Sequence, residues 1–149
     1  MMQVDVNKFE KQTLFGGHDA PASQRGNCYQ MCLAAMLRVP SRRVPHFYGT
    51  DETTAVQNAN IARFLARRGL WQFTFDYAPF MDWWEQDLVI LPQGSLVILN
   101  GKSPRGHNHA CIGVAKRKKI ELLWDPHPSN EFFVGPPSSI ELVSLLPRV

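Results

Sequence analysis

Cys28-Tyr-Gln-Met-Cys-Leu-Ala-Ala-Met-Leu-Arg38 is a run of eleven residues with neither glycine nor proline, rich in strong helix formers. Pro40 follows two residues after its end, so the spacing predicts a helix over about 28–38. Apolar side chains surround most of that helix instead of forming one stripe. A helix apolar nearly all round has to be buried, which places this one at the centre of the fold.

Working outward, residues 1–27 carry Gly16, Gly17, Pro21 and Gly26 with little apolar periodicity, and read as an extended arm and loop. Downstream, Pro40 and Pro45 bracket a turn with one helical turn at Ser41–Val44. Thr50 or Asp51 can cap a second helix, in which Ile61, Phe64 and Leu65 fall at i, i+3, i+4 and Gly69 is the stop. Strand signals follow. Trp71–Tyr77 alternates aromatic and polar residues, and Ser95–Leu99, His109–Ala115, Ile120–Trp124 and 140–146 are short runs of β-formers. Lys116–Lys119 between two of them reads as a solvated hairpin turn. Helices first and a mostly antiparallel sheet after them predict an α+β domain, with the helices against one face of the sheet.

A chain of 149 residues suits one domain, 1–149, with 1–23 as its arm. At 44% apolar and 19% charged residues, the composition excludes a disordered tail and a coiled coil. No apolar run reaches the roughly 18–20 residues a membrane span needs. The opening MMQVDVNKFE has no apolar signal region, so a cytoplasmic location and no membrane partner are expected. Lys+Arg exceed Asp+Glu by three (16 against 13), too little to argue for a nucleic-acid partner. Three cysteines, with no Cys-x-x-Cys, make neither a disulfide framework nor a zinc motif, and no metal or cofactor is expected.

The chemistry lies in three positions. Cys28 opens the buried helix, where the macrodipole and free N–H groups favour a thiolate and can bind an oxyanion. His109 begins the strand His-Ala-Cys-Ile-Gly-Val, and Asp125 ends the next, sixteen residues later. An antiparallel hairpin brings 109 and 125 to the same end, where an aspartate can orient an imidazole. His107 is a competing base. Cys32 and Cys111 read as core thiols, and Trp71, Trp83, Trp84 and Trp124 as core aromatics, although Trp83-Trp84 cannot both face inward on a strand. His18 and His46 carry no signal, and Arg42, Arg43 and the 116–119 run read as surface charge.

With those residues in view, the chain resembles the papain-like cysteine peptidases, and among them the double-glycine leader peptidases. These carry Gln…Asp-Cys before the helix and His-x-Val-Val…Asp-Pro in the sheet. The matching stretches here are Gln24-Arg-Gly-Asn-Cys28 and His109-Ala-Cys-Ile-Gly…Asp125-Pro126. The phrasing around Asn27–Leu37, Val44–Phe47 and Asp125–Ser129 also resembles small papain-like proteins of phages and bacteria. The similarity covers about 24–130. It implies a papain-like fold with the central N-terminal helix packed on the sheet, a Cys28 nucleophile, a His109 base and an Asp125 orienter. It also implies an oxyanion hole at Gln24, with Asn27 or the Cys28 backbone N–H as substitutes. Gln24 stands four residues before the cysteine, against five or six in the family, and Asn27 replaces the family's acidic residue. Arg105 and His127 border the predicted cleft as candidate substrate-binding residues.

The expected function is a thiol hydrolase acting on an amide, isopeptide or ester bond of a peptide or protein through a thioester. Deamidation and acyl transfer share its first half-reaction. A catalytically silent binder or inhibitor with the same fold is the alternative class, and a nucleic-acid binder using Arg42, Arg43 and Lys116–Lys119 is a third. With 149 residues there is little room for a second lobe, so the substrate is expected to be narrow and specialised.

Overall fold

The glycine- and proline-free run forms helix α1, Cys28–Leu37, in the computed structural model, which describes residues 4–145. Arg38 follows in the left-handed region at φ 56°, and the N–H groups of Arg38 and Val39 close back on Ala35 and Ala34 carbonyls. Six of the ten residues of α1 are buried, with Cys32 and Leu33 wholly inaccessible, so the helix is central as its composition requires.

Helix α2, Thr54–Ala66, is capped two or three residues later than the sequence suggested. Thr53 is the cap, its Oγ1 accepting the Val56 N–H. The two upstream candidates are engaged in the preceding loop: Thr50 accepts from the Gln57 side chain and Asp51 faces Arg25 at 3.7 Å. Ile61 and Leu65 are buried on the α1 side, as their spacing required.

The strands are β1 (Leu70–Asp76), β2 (Leu96–Lys102), β3 (Asn108–Lys116), β4 (Lys119–Trp124) and β5 (Ser139–Leu145), all paired antiparallel in the order β1-β5-β2-β3-β4. Residue 146, included in the last strand by sequence, lies outside the described residues. The turn at Arg117–Lys118 has both residues at positive φ, 47° and 61°, the geometry that matches strand twist in a two-residue hairpin.

A third helix, α3 (Tyr77–Glu85), was not legible. It resolves the Trp83-Trp84 conflict, because a helix sends consecutive residues in different directions: Trp84 is buried and Trp83 is 40% exposed. This helix also corrects the expectation that all helices share one face. Ile98 and Ile112 pack with α1 and α2, whereas Val97, Leu99 and Ile140 pack with Phe80 and Trp84 of α3. Both faces of β2 are apolar, so both have to be covered. Trp71 is a further correction, being half-exposed at the sheet edge instead of in the core. No helix among the described residues is long and apolar enough to cross a membrane.

One charged group sits inside this layer. Glu141 of β5 is buried and accepts the Tyr29 hydroxyl hydrogen bond. Burial lifts its pKa from 4.5 to about 7 against the smaller, opposing pull of Tyr29 and Gln72. A raised carboxyl pKa means that the folded state holds a proton the unfolded chain has released, so stability falls as pH rises from about 4.5 through about 7. Glu141→Gln is expected to flatten that part of the stability–pH curve, measured by urea denaturation at steps across the interval.

Candidate active site

Cys28, the first residue of α1, is partly exposed in a cleft of about 890 Å³. The arm supplies Gln12 and Gly17 to its lining, and the β2–β3 connection supplies Ser103 and His107. His109 enters from the start of β3 and is buried.

The His109 ring and the Asp125 carboxylate meet, with Nε2 donating to Oδ1 at 2.6 Å. A β-bulge makes this possible. From the turn, Gly113 faces Leu122, but past the irregularity between Ile112 and Gly113 the register shifts so that Ile112 faces Trp124. Continuing that register sets Asp125 opposite Cys111, on the face that His109 shares by strand alternation. Without the extra residue Asp125 would oppose Ala110 and point to the other face. The polar atoms of His109, Cys111 and Asp125 indeed lie within 4.8 Å of one another.

Asp125 is held on several sides. Its Oδ1 also accepts the His127 N–H at 2.8 Å and its Oδ2 the Phe132 N–H at 2.9 Å. Burial alone would raise its pKa, yet these donors, His109 foremost, hold it below the ordinary carboxylate range. For His109 burial opposes the charged ring, but the hydrogen bond to Asp125 and the influence of the Cys28 thiol outweigh it and raise the pKa from 6.5 to about 9. The ring is thus anchored on the carboxylate and feels the thiol at the start of α1. With Nε2 on Asp125, Nδ1 is the nitrogen left to take the proton of Cys28.

Cys32 and Cys111 are fully buried, and burial pushes both thiols well up, so they stay protonated. The Cys111 thiol lies within 4.8 Å of the Asp125 carboxylate. The His109–Cys111–Asp125 trio has ligand types a metal accepts. Both Asp125 oxygens are already committed to His109 and two backbone amides, so this donor set fits a hydrogen-bonded cluster and not a cation site.

Two oxyanion-hole expectations are corrected. Gln24 is exposed in a 3-10 turn and does not line the cleft; its backbone carbonyl accepts the Gly16 N–H, where the arm folds back on itself. Asn27 is buried with its side chain turned to the arm, its Oδ1 accepting the Thr13 and Leu14 N–H groups, both at 3.1 Å. The residue that reasoning from sequence missed is Gln12. It lines the cleft with Cys28, is 6% exposed, and its Nε2 donates to the Leu14 carbonyl, leaving a second N–H for a ligand. Its Oε1 has no partner among the described residues. Sixteen residues separate Gln12 from Cys28, and no spacing rule connects them; the link is the Gln12 N–H bonded to the Pro126 carbonyl beside Asp125.

Lys11 was also unforeseen. Its ammonium donates to the carbonyl of Asp125 and to Asn130 Oδ1, clamping the turn that carries the carboxylate. Arg105 and His127 do line the cleft, tied through Ser129: Arg105 at 3.2 Å and the His127 ring at 2.9 Å. His107 also lines it, but its ring packs against the arm, where a Cβ on Gly17 would come within 2.4 Å. His109, bonded to the buried Asp125 carboxylate, is the histidine equipped as a base.

No protein-family model, curated protein or solved structure matches the chain. The geometry of this site is accordingly what a functional reading has to rest on.

In an NMR titration the His109 ring is expected to lose its proton near pH 9, and Asp125→Asn to lower that value, since burial then meets less opposition. The raised imidazole pKa makes the stability from the pair complete below about 6.5 and lost as pH rises through about 9. The depressed carboxyl pKa makes it present above the ordinary carboxylate range and lost on acidification. The gap in melting temperature between wild type and Asp125→Asn should thus be widest in mildly acidic buffer and narrow at high pH. Separately, Asn27→Ala strands two arm amides and is expected to cost about 1–3 kcal/mol in denaturant unfolding.

Proposed function

We propose that the chain is a cysteine hydrolase that cleaves an amide, isopeptide or ester bond by way of a thioester, on a papain-like arrangement of helix and sheet. The observation that carries this reading is His109, buried and hydrogen-bonded to Asp125, lining the same cleft into which Cys28 opens from the start of α1. A histidine held by a buried carboxylate in the cleft where a helix-start thiol opens has the arrangement of a base with its orienter.

In this mechanism Cys28 passes its proton to Nδ1 of His109 and the sulfur attacks the substrate carbonyl carbon. The oxyanion that forms takes the N–H of Cys28 and the second Nε2 hydrogen of Gln12 as donors. As the tetrahedral species collapses, the C–N or C–O bond breaks and His109 protonates the leaving amine or alcohol. A water molecule, deprotonated by the same ring, then attacks the thioester carbonyl. The acid departs and Cys28 recovers its proton. Throughout, Asp125 keeps the Nε2 proton in place and offsets the charge on the imidazolium. A peptide or protein substrate is the class this resemblance supports; an amine acceptor in place of water would turn the same intermediate into acyl transfer.

Labelling with a small thiol-directed warhead, followed by peptide mapping, is expected to modify Cys28 well before Cys32 or Cys111, which are buried and protonated. On any substrate found, Cys28→Ala and His109→Ala should each lower turnover by at least about 10³-fold, with losses that do not add. Asp125→Asn should be milder and Gln12→Ala should cost on the order of 10²-fold. Inactivation by His107→Ala with His109→Ala still active would overturn the assignment.

A further inference from the structure

The two edges of the sheet are finished differently. At one edge β4 carries Lys119 and Glu121, and its hairpin turn carries Arg117 and Lys118, charges that discourage further strand pairing. At the other edge β1, Leu-Trp-Gln-Phe-Thr-Phe-Asp over Leu70–Asp76, has no proline and no lysine, and its outer side meets no strand among the described residues. Trp71 and Phe73 project from one face of it at 51% and 45% exposure, with Trp83 of α3 beside Phe75 at 6.1 Å. An open, apolar, seven-residue edge is a template for strand addition.

The charge pattern selects the occupant. Asp76 closes β1 at one end, and Arg67 and Arg68 precede it at the other. We propose that β1 pairs antiparallel with β1 of a second copy about a two-fold axis, joining the two five-stranded sheets edge to edge. Antiparallel self-pairing sets the acidic end of each strand against the basic end of the other, twice over; a parallel pair would set like against like. It also brings Trp71 and Phe73 of one copy against the same aromatics of its partner, on one face of the joined sheet. Gln72, on the opposite face, keeps its contact with Tyr29 at 3.4 Å. Because the β4 edge is charged, association stops at two copies.

Three partly exposed aromatics supply roughly 300 Å² per copy, short of the ~800 Å² of a standard stable interface. The dimer is therefore reversible and concentration-dependent.

Sedimentation equilibrium of the full chain from about 1 µM to about 1 mM tests this. A monomer–dimer equilibrium is expected. Phe73→Lys and, independently, Trp71→Lys should each weaken it at least about 10-fold, with far-UV circular dichroism confirming the fold. Asp76→Lys alone, or Arg67→Glu with Arg68→Glu, should weaken it about 3- to 10-fold, and the three changes combined should restore it. A wild type monomeric throughout, growth past the dimer, or a dimer indifferent to both aromatic variants overturns the proposal. Failure of the combined charge exchange to restore pairing overturns the antiparallel register.

Discussion

The carboxylate of Asp125 is the charge around which the working end of the molecule is organised. It is 1% exposed, and a buried charge is tolerated only when hydrogen-bonded on all sides. Its donors come from separate parts of the chain: the His109 ring on β3 and the backbone amides of His127 and Phe132 in the following turn. Phe133, at the end of that turn, packs on Gly101 of β2 and stands 6.2 Å from the His109 ring. Ring position, turn conformation and the strand that bears Asp125 are thus fixed together, because moving any one strands the carboxylate.

The N-terminal arm belongs to this arrangement. Phe9 meets Trp124 edge to face at 5.2 Å, Lys11 clamps the Asp125 turn, and the Gln12 N–H bonds the Pro126 carbonyl. From there Asn27 holds Thr13 and Leu14 beside the start of α1. A segment without helix or strand of its own thereby links the end of β4 to the residue before Cys28. That link ties together the two parts of the chain that carry Cys28 and Asp125.

Covering both faces of the sheet leaves its rim as the remaining exposed backbone. Helix α3 shields Val97, Leu99 and Ile140 but is only nine residues long, so it does not reach Trp71 and Phe73. The rim is charged along β4 and aromatic along β1. One rim is finished by side-chain charge and the other is left for a partner strand.

Local rules were enough for much of this. The run from Cys28 to Leu37 could only be a buried helix. The alternation from Trp71 and the runs of β-formers in 109–115 and 120–124 are strands, although the first ends at Asp76 with Tyr77 already in α3, and the positive-φ hairpin at Arg117–Lys118 lies where the charge run placed it. Cys28 and His109 were legible because helix starts and strand starts are local events. Gln24 and Asn27 were misjudged for the same reason: proximity in sequence to Cys28 said nothing about which way their side chains turn. Helix α3 was hidden, since Tyr77–Glu85 is rich in aromatics that serve strand and helix alike. Tertiary structure alone decided three things. The bulge at Ile112/Gly113 sends Asp125 to the face of His109; β5 inserts between β1 and β2; and Gln12 and Lys11 reach the site from an arm with no pattern. Each depends on pairing between residues far apart in the chain, where a shift of a single residue reverses a side chain's face, and no local propensity records that choice.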